Sequence, residues 1–454
     1  MSHQPQPPHH FRGRWSNRLG FIMAAAGSAV GLGNIWKFPY ITGMHGGGAF
    51  VLFYLFCILS IGVPLMVAEM VIGRHTRKDP VGAFKRLKGG GWTVVGWMGV
   101  VAAFSILSYY GVVAGWAVDY LWLALKGTFT QQHADQVPQL FGRLLASDFS
   151  QLFWQALFVA ANVLIVIGGV KSGLERANRV MMPVLFLILV ALAAHGLFSA
   201  GGARAFRFLF AADWSRLDPP AMLEALGHAF FSLSLAMGAM LTYGSYADEE
   251  ISIPKVAITV SCMDTLVALL SGLAIFPIVF SYGMAPAAGP GLVFKTLPIL
   301  FSQMPGGTLI AILFFLLLVF AALTSGISLL EVVVAYYCDE QKWDRTKATL
   351  LMGLAIFALG VPSALSNNLL KDWHIIGDRN FLDSIDFLAS NYLLPLGGLL
   401  ITLFAGWVMI PRIGRDELLK GGGSRAFYQV WYLLIRYVSP VLVALVLLNK
   451  VGLF

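Results

Sequence analysis

This chain reads as an all-α integral membrane protein of about eleven transmembrane helices. Its 454 residues are 58% hydrophobic and only 12% charged, a balance foreign to a soluble domain of this length. The apolar residues also gather into stretches of about 18 or more, long enough to cross a bilayer as helices. These fall near 19–41, 48–72, 95–125, 152–169, 179–199, 221–246, 256–282, 308–337, 347–365, 385–410 and 427–450. The intervals leave no room for a sizeable soluble domain. Cys57, Cys262 and Cys338 lie in or beside apolar runs, so no disulfide framework is expected. The opening MSHQPQPPHH reads as a short polar tail rather than a cleaved signal peptide.

Charge sets the orientation. Most of the 31 lysines and arginines fall in alternate loops, among them Arg12, Arg14, Arg18, Arg74, Arg77, Lys78, Lys85, Arg86 and Lys88. The bias of such residues toward the cytoplasmic face puts the N-terminus inside. The net charge of +8 follows from that asymmetry beside an anionic leaflet. It calls for a lipid bilayer as partner and gives no reason to invoke nucleic acid.

The first span, GFIMAAAGSAVGLGNIWKFP over 20–39, is interrupted by Gly27, Gly31 and Gly33 and carries Asn34. Glycine weakens a helix by roughly 1 kcal/mol per position, so the backbone is invited to unwind at mid-membrane depth. Unwound backbone in hydrocarbon needs a partner, and a broken helix offers carbonyl ends to a cation and amide ends to an anion. Glycines taken alone are more often a device for close helix packing. A second interruption tips the balance: five spans later, HAFFSLSLAMGAMLTYGSY over 228–246 places Ser232, Ser234 and Gly238 within another spanning run. Paired breaks in two halves point to an inverted-repeat secondary transporter with its site between the repeats.

Ionisable residues inside spans cost about 2.5–3.5 kcal/mol or more and persist for a reason; those that stand out are Glu69, Asp264, Glu331 and Asp386. Asp264 has no basic residue within a helical turn, so a bound cation is its natural counter-charge. Glu69 is read instead as a structural group that bonds backbone freed by a neighbouring broken helix. Thr324 and Ser325 in ALTSGIS add hydroxyl oxygens of the kind a hard cation prefers, although membrane hydroxyls commonly bond their own helix. No acid–base pair beside a nucleophile, metal-ligand cluster or phosphate loop suggests an enzyme.

GSAVGLGNIWKFPY, GGGAF at 46–50, ILSYY at 106–110, FFSLSLAMG, LTSGIS and DFLASN together resemble the neurotransmitter:sodium symporter family, in its bacterial amino-acid branch, across residues 12–450. The resemblance implies an inverted five-plus-five repeat with helices 1 and 6 broken. It divides the chain into a gating tail (1–18), a first repeat (19–200), a second repeat (221–410) and an eleventh helix (427–450). It implies two sodium ions. The first would be held by the Ala29 carbonyl, Asn34, Ser232, Asp264 and the substrate carboxylate. The second would be held by the carbonyls of Gly27, Val30 and Ala321 with the hydroxyls of Thr324 and Ser325.

The same resemblance places the substrate carboxylate at the amides of Leu32 and Gly33 and the Tyr110 hydroxyl. Its amino group would meet the carbonyls of Ala29 and Phe231 and the hydroxyl of Ser325, with Ser232 and Ser234 beside them. Tyr110 and Phe231 would form a lid, Lys37 and Asp386 an outer ion pair. Arg12 with Asp339 would form an inner gate, helped by Trp15, Ser245, Tyr246 and Glu331. Lys37 stands where most of the family has arginine and cannot make its bidentate fork. Gly31 stands where monoamine members carry an acid, so the substrate must bring its own carboxylate. The pocket wall implied is Ile106, Phe231, Met237, Gly326 and Leu329, apolar throughout; Met237 adapts and Gly326 leaves room for a ring.

The expected function is sodium-coupled import of neutral hydrophobic L-amino acids, branched and aromatic, by alternating access across a bacterial inner membrane. The resemblance implies that Asp264 supplies a built-in negative charge where other members need chloride, so chloride is not expected to be needed. A sodium-conducting channel or a non-transporting sensor is the alternative. Gly173 and Pro183, ten residues apart near the inner end of span 5, resemble a family spacing that lets this end unwind. The resemblance also places His228 close to Asp264, either protonated against it or neutral and bonded to backbone.

Overall fold

The computed structural model describes residues 13–131, 136–283 and 291–450; Arg12 lies outside them. Nine helices in this range are long and apolar enough to cross a membrane. A further pair, α1 (Arg18–Ala29) and α2 (Gly33–Met44), passes the same test together and is bent by 52° at its break. The nine are α3 (Gly48–Thr76), α4 (Gly90–Leu125), α5 (Asp148–Ile167), α6 (Val170–Leu197), α9 (Ile253–Ser281), α11 (Gly307–Asp339), α12 (Arg345–Leu365), α13 (Phe381–Val408) and α14 (Arg425–Asn449). Between α6 and α9 lie α7 (Pro219–Ser232) and α8 (Ala239–Ser245), the two halves of the sixth span. A short α10 (Leu292–Gln303) precedes α11; at this length it could not span, and hydropathy reading passes over it.

Both interruptions expected from composition are present, and each has a local cause. In the first, Val30 leaves the helix with an extended ψ of 103°, and the Asn34 side-chain oxygen accepts the freed Gly31 N–H at 3.1 Å. In the second, Ser234 (φ 53°), Ala236 (φ 63°) and Gly238 (φ 77°) all occupy left-handed backbone. Glycine does so freely; serine and alanine do so at a cost of the order of 1–3 kcal/mol each, which surrounding contacts must outweigh. One such contact is Glu69 on α3, whose Oε1 accepts the Ala236 N–H at 2.7 Å. Glu69 therefore performs the structural role read for it.

The most apolar windows of α3, α4, α9 and α11 are 72–78% buried, against 33–44% for α5, α6, α12, α13 and α14. The first group thus forms a central scaffold, with the broken helices packed inside it and the second group facing lipid. Past α13, an amphipathic helix (Pro411–Leu419) is pinned to the end of α3, where the buried Arg74 donates from Nε to Glu417 Oε2 at 2.7 Å.

Candidate functional site

The two breaks face each other across a small cavity. Its walls include, from the first break, Ser28, Ala29, Gly31, Leu32, Gly33 and Asn34, and from the second Phe231, Ser232, Ser234 and Met237. Ile106 and Tyr110 come from α4, Ser325 and Leu329 from α11. Every residue expected at the substrate site is here except Gly326. A methyl at Gly326 would collide with the Asn162 amide on α5, so the space assigned to a substrate ring is filled by a side chain of the protein. Ser28 was not anticipated. Its carbonyl accepts from Ser234 Oγ at 2.6 Å and Ser325 Oγ at 3.2 Å, which ties the first break to the second and to α11.

Two oxygen clusters flank the cavity. In one, Asn34 Nδ2 donates to the Asp264 carboxylate at 2.6 Å and to the Asp264 backbone carbonyl at 3.1 Å. The Tyr54 hydroxyl lies 3.2 Å from the other carboxylate oxygen and 2.9 Å from Ser232 Oγ. Tyr54 escaped the sequence reading; the signal for it was only that a tyrosine buried in a span needs a partner for its hydroxyl. In the other cluster, Thr324 Oγ1 lies 3.1 Å from the Ala321 carbonyl and 3.4 Å from that of Val30, and Ser325 Oγ lies 3.3 Å from Val30 O. Gly27 borders this cluster, since a Cβ on it would come within 3.2 Å of Thr324 Cβ. Both donor sets are oxygen, which suits an alkali cation rather than a transition metal. Among the described residues no group of three or more His, Cys, Asp or Glu could hold a metal ion.

His228 departs from both alternatives offered for it. Its ring nitrogens have no hydrogen-bond partner among the described residues, and the ring packs against Phe38 and Tyr54, with centroids 6.0 and 5.5 Å away. The Tyr54 hydroxyl, not His228, bonds Asp264. The outer ion pair is also absent. Lys37 Nζ sits 5.2 Å from the Phe231 ring centroid, while Asp386 accepts from Ser390 Oγ at 2.9 Å.

At the end of the bundle that holds the N-terminus, the path is bridged. Trp15 Nε1 donates to the Tyr243 carbonyl at 3.0 Å, and Trp15 N to Tyr246 O at 3.3 Å. The Tyr246 hydroxyl donates to Glu331 at 2.7 Å, and Glu331 is ion-paired with Arg345, a partner that sequence reading missed because it enters from α12. Ser245 turns away from this network and bonds Thr242 O in its own helix at 2.5 Å. Asp339 accepts the Asp79 N–H at 3.0 Å; its expected partner Arg12 lies outside the described residues.

Two broken helices set face to face around a small cavity flanked by oxygen clusters at mid-bundle define a secondary transporter by architecture. The model of the "Sodium:neurotransmitter symporter family" matches residues 12–139 and 145–452, and the chain belongs to that family. It is 40% identical over 446 residues to "Uncharacterized sodium-dependent transporter YhdH" of Bacillus subtilis (strain 168), covering 97% of this chain and 98% of that one. It is 34% identical to an "Uncharacterized sodium-dependent transporter" of Haemophilus influenzae, with the same two coverages, 97% and 98%. The crystal structure of MhsT in complex with L-phenylalanine superposes with a TM-score of 0.90 at 45% identity, covering 97% of this chain and all of that one. The protein is a sodium-dependent membrane symporter and not an enzyme.

Proposed function

We propose that the chain imports neutral hydrophobic L-amino acids with two sodium ions, by alternating access and without chloride. The observation that carries this reading is the division of the cavity. The broken-helix end exposes backbone amides and hydroxyls suited to an amino acid's charged groups. The far wall of Ile106, Phe231, Met237 and Leu329 offers nothing to pair a charged side chain. The complex of MhsT with L-phenylalanine supports the same class. In this reading the ions occupy the Asn34–Asp264–Ser232 and Val30–Ala321–Thr324–Ser325 clusters, with Ala29 and Gly27 contributing carbonyls. The N-terminus is cytoplasmic, in a bacterial plasma membrane, and the repeats are 19–200 and 221–410. The lid is Tyr110 with Phe231. The inner closure is the Trp15, Tyr246, Glu331 and Arg345 network.

Reconstituted protein in proteoliposomes tests this. Leucine, phenylalanine and tryptophan are expected to accumulate above the bath concentration only under an inward sodium gradient, whereas glutamate, lysine and tyramine do not. Sodium current without accumulation would assign a channel instead.

A further inference from the structure

On the face of α6 that packs against α1, Asn178 is fully buried. Its amide orientation is set by one bond: Nδ2 donates to the Leu174 carbonyl of its own helix at 2.9 Å. Oδ1 is thereby turned toward α1, where it has no hydrogen-bond partner among the described residues. It abuts Gly27, since any side chain there would collide with it. A Cβ on Gly27 would also stand 3.2 Å from Thr324 Cβ, so only about the width of a methyl group separates this oxygen from the Thr324 side chain. One turn earlier on α6, Glu175 is already engaged by the Ser16 N–H at 2.8 Å and by Arg179. Asn178 Oδ1 is the open oxygen of the two.

An unsatisfied buried carbonyl oxygen is costly and calls for an explanation, a bound ion being one. Gly27 lies three residues before Val30, about 4.5 Å closer to the Trp15 end along the helix axis. Asn178 also falls between Gly173 and Pro183, the stretch of α6 least suited to stay helical.

We propose that Asn178 Oδ1 is a stepping ligand for the sodium ion that leaves the Val30–Ala321–Thr324–Ser325 cluster toward the Trp15 end. This rests on reading that cluster as an ion site. The ion takes up the amide oxygen as it gives up the Val30 carbonyl and Ser325 hydroxyl, so it is not stripped of ligands midway. Gly27 has no side chain because one would block the contact.

The test compares parent, Asn178→Leu, Asn178→Ala and Asn178→Asp proteins for ²²Na⁺ binding at equilibrium and for sodium-driven amino-acid uptake in proteoliposomes. Loss of the oxygen in Leu or Ala is expected to slow uptake by roughly tenfold, the consequence of a modest rise in one barrier, while sodium affinity moves by less than about threefold. Asp keeps an oxygen on this side chain, although it cannot donate to the Leu174 carbonyl, and is expected to recover part of the rate. The Ala variant serves if the larger Leu prevents folding. Parental uptake in both Leu and Ala would overturn the proposal, as would sodium affinity falling in step with uptake or an Asp variant as slow as Ala. Failure of the underlying ion-site reading shows separately, as absent ²²Na⁺ binding in the parent.

Discussion

Asn34 clamps Asp264 twice, to its carboxylate at 2.6 Å and to its backbone carbonyl at 3.1 Å, while accepting the Gly31 N–H through its own oxygen at 3.1 Å. One carboxamide therefore ties the bare backbone of the first break to the charge on α9. Replacing Asp264 with Asn removes the charge but keeps the shape. Sodium-dependent substrate binding is expected to weaken by at least about tenfold, since a paired buried charge contributes more than 1.4 kcal/mol. Uptake by the parent should be equal in chloride and gluconate; a chloride requirement would count against Asp264 as the built-in anion.

In the proposed reading substrate selection turns on Gly31, where a Cβ would stand 2.6 Å from Ser325 Oγ and 3.5 Å from the Tyr110 hydroxyl. A Gly31→Asp side chain would occupy the ground intended for the amino acid's own carboxylate. Leucine affinity is expected to fall by roughly a hundredfold, a penalty near 2.8 kcal/mol, as read by competition binding. Undiminished leucine binding would place the substrate elsewhere.

Gly173 and Pro183 separate under test. A methyl at Gly173 would collide with the Ile165 carbonyl, so Gly173→Ala is expected to express poorly, a packing defect. Pro183 lies inside α6, and restoring the missing N–H removes about 3 kcal/mol of helix strain. Pro183→Ala should therefore fold well and bind substrate within about twofold of the parent, yet transport more slowly. Equal speed would deny this end of α6 a part in the cycle.

Arg345 keeps the buried Glu331 compensated. Arg345→Gln leaves that carboxylate short of a counter-charge, a loss of the order of 3–5 kcal/mol to the closed arrangement. A cysteine placed at Ser245 should become accessible to a membrane-impermeant thiol reagent from the cytoplasmic side, with apparent substrate affinity reduced in proportion to the closed population lost. Unchanged labelling would show that closure rests on other contacts.

Outside the membrane, Glu417 is the informative titrating group. Burial acts to raise its carboxyl, but hydrogen bonds from Lys420 and Arg74 outweigh it, holding the group below the ordinary carboxylate range. A depressed folded-state pKa gives stability that is present above the unfolded value and lost as pH falls through the folded one. Glu417→Gln should therefore lower the melting temperature at neutral pH. The gap between parent and variant should narrow as pH drops below about 4.3, the unperturbed glutamate value. A gap constant with pH would mean that Glu417 acts by packing alone.

Much of this was determined by the sequence itself. Span count and the two breaks follow from local chemistry: apolar length, glycine's poor helix propensity, and polar atoms placed at mid-membrane. Glu69 could be read as a support for freed backbone because a lone carboxylate beside a broken helix has few other uses. Other features belong to tertiary structure alone. Asn162 fills the space over Gly326, Tyr54 rather than His228 reaches Asp264, and Lys37 rests on Phe231 instead of pairing with Asp386. Arg345 completes Glu331 from another helix. In each case the deciding quantity is a distance between residues far apart in the chain, set by how closely helices pack. Periodicity and composition report the environment a residue seeks, whereas only packing decides which neighbour supplies it.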